Sequence, residues 1–154
     1  MIKKFENFIN ESVDSNIPKI GMTYLSEIIK QADPGDKILI SCNFVIPTYV
    51  EHYYKPDSVH TIKSINCVNL SPNDKDLDTL SDKNLCFFLR NFERTDPDVL
   101  KILMDKIFKN KDSIFIIFLN DAKENREIYN DFVENISTPA FKDRINRWCK
   151  VVLD

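Results

Sequence analysis

Residues 85–119 read LCFFLRNFERTDPDVLKILMDKIFKNKDSIFIIFL, and this stretch decides the fold. It begins and ends with runs that are almost wholly apolar, Leu85–Leu89 and Ser113–Leu119. Between them, Asp96 and Pro97 predict a helix start, because Asp caps helix N-termini and Pro is favoured in the first turn. Apolar residues then recur at helical spacing up to Phe108. Short apolar runs that alternate with helices are typical of a parallel sheet covered on both faces.

The same alternation extends in both directions along the chain. Strands are predicted at 37–42, 61–69, 85–89, 113–119 and 147–153. Helices are predicted at 24–31, 47–55, 97–108, 124–134 and 139–145, with a polar loop at 72–80. The predicted fold is therefore α/β, a three-layer sandwich with a five-stranded, mostly parallel sheet.

The two ends of the chain differ in character. Ile2, Phe5, Phe8 and Ile9 have helical spacing, which predicts an amphipathic helix or tail over residues 1–17. Residues 18–154 contain no repeat, low-complexity tract or linker, so we expect one α/β domain there. The opening of the chain resembles those of small proteins of tailed phages, which implies a phage origin.

Composition argues against several classes of function. The 154 residues are 43% hydrophobic and 29% charged, which is ordinary for a globular protein. The net charge of −3 and the pI near 5.4 argue against a general nucleic-acid binder, which needs a basic surface. The sequence has neither an apolar run of roughly 18 residues nor a signal-peptide pattern. We expect a cytoplasmic protein, in the host cytoplasm if a phage encodes it, with no membrane contact.

The four cysteines, Cys42, Cys67, Cys86 and Cys149, form no CxxC pair and lie in apolar stretches read as strands. They are expected to be buried, reduced and structural. The sequence has two histidines, His52 and His60, which are too far apart for a helical metal pair. The alternating aspartates at 74, 76 and 78 lack the Gly and Glu of an EF-hand. No metal or other cofactor is predicted.

Over roughly residues 18–153 the order of motifs resembles the AAA+ ATPase core, especially its MoxR-like branch. Residues 68–77 (VNLSPNDKDL) resemble the second strand and its loop, and 87–100 (FFLRNFERTDPDVL) the Walker B strand and the next helix. Residues 116–120 (IIFLN) resemble the sensor-1 strand, and 137–145 (STPAFKDRI) the segment that carries an arginine finger. The resemblance implies a P-loop NTPase-like strand order 5-1-4-3-2. The small helical lid domain of the family is not expected.

The catalytic parts of that family are missing. Residues 41–54, SCNFVIPTYVEHYY, follow the first long strand but contain neither the glycines nor the lysine of a Walker A loop. Alignment of the Walker B segment places Arg90 and Asn91 where the family has Asp and Glu. A cation cannot hold Mg²⁺, and an amide is too weak a base to activate water. We therefore expect no nucleotide binding or hydrolysis.

Two polar residues keep positions that the resemblance associates with function. Asn120 lies where sensor 1 would orient water, although an Asn at a strand end also begins turns. Arg144 lies where an arginine finger would reach a neighbouring subunit. Its alternative is a surface arginine paired with Asp143 or Asp131.

Aromatic residues cluster in the segment that replaces the phosphate loop. Val45, Tyr49 and Tyr53 share one predicted helical face and are expected to pack in the core. Tyr54 and His52 point elsewhere and are candidates for contact with a partner.

The leading hypothesis is a non-catalytic AAA+-like protein, a pseudo-ATPase that binds other proteins, including active ATPase subunits, or self-associates. Arg144, Asn120, His52 and Tyr54 are its candidate partner contacts. One alternative is an enzyme of unrelated chemistry on a doubly wound sheet, for which the sequence offers no Ser/His/Asp or Cys/His array. The other is a DNA-associated accessory factor, which a cluster of Lys and Arg on one exposed face would favour.

Overall fold

A computed structural model describes residues 19–47 and 50–153 of the chain. Within these residues, six strands form one sheet in which every neighbouring pair is parallel. The strands are β1 Lys19–Ile20, β2 Lys37–Cys42, β3 Thr61–Asn66, β4 Leu85–Arg90, β5 Ile114–Asn120 and β6 Cys149–Leu153. The α/β class with a parallel sheet is confirmed. The amphipathic helix or tail predicted over 1–17 lies outside the described residues.

The order across the sheet is β1-β6-β2-β5-β4-β3. The predicted count of five is wrong, and the predicted order is therefore incomplete, because β1 adds a sixth strand beside β6. This edge strand has two residues, with Ile20 opposite Leu153. Two residues are too few to form an apolar run in the sequence. The strand β1 is recognised only by its pairing with β6. The five longer strands follow one another as β6-β2-β5-β4-β3.

The central strands β2, β4 and β5 are buried on both faces, which explains their continuous apolar runs. Alternate residues enter two hydrophobic clusters, one on each face of the sheet. Phe87 and Phe115 stack in the first cluster with ring centroids 5.0 Å apart. Phe88 and Phe118 stack in the second at 6.1 Å. Burying one such side chain contributes about 1.5–3 kcal/mol, so these strands anchor the core.

Helices cover both faces and complete a three-layer arrangement. They are α1 Met22–Lys30, α2 Val50–Tyr53, α3 Lys75–Thr79, α4 Pro97–Lys109, α5 Arg126–Ile136 and α6 Pro139–Ile145. The first two pack on the second cluster, through Leu25, Ile29 and Val50. The other four contribute buried residues to the first cluster.

Helix α4 begins as its sequence predicts. The Asp96 carboxylate accepts a hydrogen bond of 3.0 Å from the Asp98 amide, and Pro97 occupies the first turn. Such a cap is worth about 1 kcal/mol. Leu103 and Ile107 are fully buried, while Phe108 at the end of the predicted apolar face is 37% exposed.

Three local predictions were wrong. Helix α2 spans Val50–Tyr53 instead of 47–55, because Ile46 and Pro47 lie in a loop whose carbonyls accept hydrogen bonds from the Arg90 guanidinium. The polar segment 72–80 contains helix α3, since the Asp74 carboxylate caps it by accepting from the Asp76 amide. Strand β3 ends at Asn66, whose side chain caps a 3-10 turn over 67–69.

The four cysteines are free thiols; Cys42, Cys67 and Cys86 are buried and Cys149 is half-buried. Cys67 lies in the 3-10 turn after β3, not in a strand as predicted. Burial raises the pKa of the three buried thiols to about 12, which keeps them protonated and unreactive. Among the described residues, none of the helices has the length and apolar character needed to cross a membrane.

Candidate functional site

The chain leaves the sheet toward opposite faces after β2 and after β5, which are neighbours. The segment after β2 leads to α2, on the second cluster, and the segment after β5 leads to α5, on the first. In open parallel sheets ligands bind at such a switch point, outside the carboxyl ends of the strands. We call this side of the sheet, where Cys42, Arg90 and Asn120 end their strands, the carboxyl edge.

The Arg90 side chain fills the carboxyl edge between β4 and the loop after β2. Its guanidinium donates hydrogen bonds to the Ile46 carbonyl at 2.8 Å and the Pro47 carbonyl at 3.2 Å. Its Nε forms an ion pair with the Glu51 carboxylate on α2. Both side chains are largely buried, with 16% and 14% exposed. Arg90 therefore holds in place the loop that stands where the resemblance would have a phosphate loop.

Asn91 is also engaged in local structure. Its backbone is left-handed, with φ 54°, a conformation that Asn tolerates better than most residues. Its side-chain amide donates to the Asn66 side-chain oxygen at 3.0 Å, and that oxygen also accepts from the Val68 amide. Asn91 thus joins the ends of β4 and β3.

Asn120 forms a turn at the end of β5. Its side-chain oxygen accepts from the Ala122 amide at 2.9 Å, as in an Asx turn. Its backbone amide donates to a Glu93 carboxylate oxygen at 2.9 Å, and its carbonyl accepts from the Asn125 side chain at 2.8 Å. The side-chain oxygen is therefore already used in the turn.

A buried polar network, which the sequence reasoning missed, lies behind Asn120. The Glu93 side chain is fully buried and accepts from the Asn120 amide and from the Asn125 side chain at 3.3 Å. Arg94 lies 3.6 Å from the same carboxylate and donates to the Asn125 oxygen at 2.6 Å. Burial raises the pKa of Glu93, and these hydrogen bonds oppose the rise. The network links the turn after β4 to the turn after β5.

A second buried group surrounds Ser41, the penultimate residue of β2. The Ser41 hydroxyl donates to an Asp121 carboxylate oxygen at 3.1 Å, and Tyr129 on α5 is hydrogen-bonded to Ser41. All three residues are at most 5% exposed. Burial raises the pKa of the Tyr129 hydroxyl above its ordinary range. A hydroxyl so enclosed cannot reach a substrate, and the group ties the strand to the helix.

The signal for both networks was present in the sequence as polar residues directly after apolar strands. Glu93 follows β4 by three residues and Asp121 follows β5 immediately. Because parallel strands end at one edge, such residues meet there. Neither position matches a spaced motif, so only the fold shows that they are buried and bonded.

Little room is left at the carboxyl edge for a ligand. A cavity of about 50 Å³ remains among the ends of β2, β4 and β5. Residues around it include Cys42, Ile46, Arg90 and Asn120. Ligand pockets usually measure roughly 300–1,000 Å³. Within the described residues, groups of three or more His, Cys, Asp or Glu that could bind a metal are also absent.

The aromatic segment differs from its predicted arrangement. Val45 and Tyr53 are 78% and 76% exposed, so the expectation that they pack in the core was wrong. Residue 49 lies outside the described part. Tyr54 is half-buried and packs against the second cluster, while His52 is exposed on the helix. Helix α2 is only one turn long, so the spacing i, i+4, i+8 does not define a face there.

Arg144 lies far from the other predicted site residues. It borders a cavity together with Lys37, the first residue of β2, and Cys149, the first residue of β6. This side of the sheet, where the strands begin, is the amino edge. The Arg144 guanidinium lies over the Phe108 ring, 4.5 Å from its centroid, and 3.9 Å from the Asp105 carboxylate. The pairing predicted with Asp143 or Asp131 was wrong, since Asp143 instead pairs with Arg147 at 3.8 Å.

No family model matches this chain, and no match was found among curated proteins. The AAA+ resemblance therefore rests on the four sequence stretches given above.

Proposed function

We propose that this protein is a non-catalytic AAA+-like domain, a pseudo-ATPase that acts by binding other proteins. The observation that carries the proposal is the position of Arg90. Its guanidinium occupies the carboxyl edge, bonded to the Ile46 and Pro47 carbonyls and paired with Glu51. A nucleotide would need this space for its phosphates, and the magnesium ion would meet a cation there.

Two carboxylates that follow strands at this edge are held inside the protein. Glu93 accepts two hydrogen bonds inside the protein, and Asp121 accepts one from Ser41. Both are buried. A general base must reach the proton it removes, so these groups are better understood as fixing the turns.

Exposed side chains near Arg90 support a role in protein binding. Val45 and Tyr53 are exposed apolar side chains, and His52 lies next to Tyr53 on α2. Aromatic residues contribute strongly to binding energy when a partner covers them. We propose that a protein partner, an active ATPase subunit or a second copy of this chain, contacts this surface.

Thermal melts test the loss of nucleotide binding. A ligand present at one hundred times its dissociation constant stabilises the folded state by about 2.7 kcal/mol. Millimolar ATP or ADP with Mg²⁺ is expected to leave the melting temperature unchanged. A rise of several degrees that requires Mg²⁺ would contradict the proposal, and a catalytically active AAA+ domain serves as the positive control.

Capture experiments test the protein-binding role. Tagged protein carrying Val45→Lys and Tyr53→Lys should lose the partners that wild type retains, with its melting temperature unchanged. The matched control is Tyr24→Lys, since Tyr24 is a 53% exposed tyrosine on α1. If the control loses the same partners as the double variant, the assigned surface is wrong.

A further inference from the structure

A cavity lies at the amino edge, on the side of the sheet opposite the Arg90 guanidinium. Its volume is about 650 Å³, within the usual range of small-molecule pockets. The turn before β2, the ends of α1, α4 and α6, and the first residues of β2 and β6 surround it. It therefore has room for a ligand that the carboxyl edge lacks.

Positive charge dominates the walls of this cavity. Its charged residues are Lys37, Lys111, Arg144, Arg147 and Asp36, which is four cations and one anion. The chain as a whole has a net charge of −3, so the cations are concentrated here against the overall balance. The single carboxylate of the lining, on Asp36, accepts a hydrogen bond of 2.8 Å from the Asp33 amide within its own turn.

Lys37 is half-buried in the wall of this cavity. Its ammonium donates to the Gly35 carbonyl at 3.1 Å and to the Asn110 carbonyl at 3.2 Å. These two hydrogen bonds use two of its three N–H donors. In the described part of the chain, neither Lys37 nor Lys111 forms an ion pair with a carboxylate. Burial and the nearby Lys111 lower the pKa of Lys37, and a bound anion would relieve both effects.

The two arginines differ in how firmly they are held. Arg144 is fixed between the Phe108 ring and the Asp105 carboxylate, with 28% of its side chain exposed. Arg147 is 70% exposed and pairs with Asp143 at 3.8 Å. A planar guanidinium can donate two parallel hydrogen bonds to a phosphate. Arg144 is thus oriented in advance, whereas Arg147 is largely exposed.

Apolar side chains form part of the remaining wall, together with Gln31. Ile28, Ala32, Ile38 and Trp148 contribute to the lining, and Trp148 is 5% exposed. The turn that forms the rim is fixed by a hydrogen bond of 2.9 Å from the Gly35 amide to the Ser113 carbonyl. Gly35 has φ +99°, which L side chains rarely adopt, so this close turn requires glycine.

We propose that the amino-edge cavity binds a small organic phosphate, a phosphate monoester with an apolar body. The cations contact the phosphate, and the apolar wall contacts the body. Concave shape and limited volume favour a small molecule over an extended nucleic acid. The site goes beyond the proposed protein-binding role, which uses the opposite edge of the sheet.

Trp148 is the single tryptophan of the chain, so its fluorescence reports on this cavity. The full-length protein is titrated with phenyl phosphate, with inorganic phosphate and with phenol, each without Mg²⁺. We expect a saturable change with phenyl phosphate, weaker binding of inorganic phosphate and the weakest binding of phenol. No saturable change at millimolar phenyl phosphate overturns the proposal, and equal binding of the two phosphates overturns the role of the apolar wall.

Substitutions of residues that line the cavity test whether phenyl phosphate binds there. Lys111→Gln with Arg147→Gln should weaken phenyl phosphate binding on the order of tenfold or more, since each removes a charged hydrogen-bond donor. Both residues are exposed, so the fold should persist. The matched control, Lys55→Gln with Lys123→Gln, removes the same charge from exposed positions outside the cavity. Equal weakening in the control pair would overturn the assigned site.

The same variants separate this inference from the proposed function. Binding at the amino edge needs no Mg²⁺ and is lost in the Lys111 and Arg147 double variant. Nucleotide binding that requires Mg²⁺ and persists in that variant would contradict the pseudo-ATPase proposal alone. A single-stranded oligonucleotide that binds more tightly than phenyl phosphate, through the same residues, would overturn the choice of a small molecule.

Discussion

The Arg90 guanidinium at the end of β4 forms an ion pair with the Glu51 carboxylate on α2. This contact lies at the carboxyl edge of the sheet, the side on which doubly wound domains usually bind ligands. Glu51 also accepts a hydrogen bond of 2.8 Å from the Ser64 hydroxyl on β3. The pair therefore joins β3, β4 and α2.

Arg90→Met is expected to lower the free energy of unfolding by roughly 2–4 kcal/mol. The substitution leaves a largely buried carboxylate and two loop carbonyls without their donor. Urea denaturation measures the effect. The control is Lys83→Met, which removes an exposed ion pair with Asp112 and should change stability by about 0.5 kcal/mol or less. Similar losses in both variants would show that the Arg90 contacts contribute little.

Glu93 should make the protein less stable as pH rises above its ordinary pKa of 4.5. Burial raises its folded-state pKa, so in this window the folded protein binds more protons than the unfolded chain. The contribution is complete below pH 4.5 and is lost as pH rises through the folded pKa.

Glu93→Gln removes this titration. The free energy of unfolding of wild type minus that of the variant should therefore fall as pH rises from about 4.5 toward neutrality. Denaturation at a series of pH values tests it. Glu127→Gln, at an exposed carboxylate on α5, should show no such trend. A flat difference for Glu93 would contradict the prediction.

Lys150 should make the protein more stable as pH rises in the alkaline range, opposite to the effect of Glu93. The residue is 1% exposed, and burial lowers the pKa of its ammonium from 10.5 to about 8. Between these values the unfolded chain binds more protons, so the free energy of unfolding rises with pH. Lys150→Met should abolish that rise, whereas Lys101→Met at an exposed position should retain it. An unchanged pH profile in Lys150→Met would refute this assignment.

Arg144→Ala is expected to destabilise the protein by about 0.5–1.5 kcal/mol, through loss of its stack on Phe108. A double-mutant cycle with Phe108→Leu should give a coupling energy of roughly 0.5–1 kcal/mol. Arg144→Lys should recover only part of the loss, because an ammonium does not reproduce the planar group. Additive effects of the Arg144 and Phe108 substitutions on the free energy of unfolding would show that the contact between the two side chains does not contribute to stability.

The sequence predicted the α/β class because apolar runs such as Leu85–Leu89 leave no polar face for water. It also predicted the start of α4, since Asp96 and Pro97 act on their immediate neighbours. The sequence did not predict features that are too short to show a helical or strand periodicity. The two-residue strand β1 exists only through its pairing with β6, and the exposure of Tyr53 follows from a helix of one turn.

Site residues divide in the same way. The sequence by itself determined that a phosphate loop is missing after Cys42, because glycine and lysine are required there whatever the fold. Only the tertiary structure decided that the Arg90 side chain lies at the carboxyl edge and that Glu93 is buried. It also decided that Arg144 lies at the amino edge, in the same cavity wall as Lys37. Local chemistry is set by adjacent residues, whereas these contacts join residues distant in the chain. Parallel strands bring their ends together at a common edge, and spacing in the sequence does not record which side chains meet there.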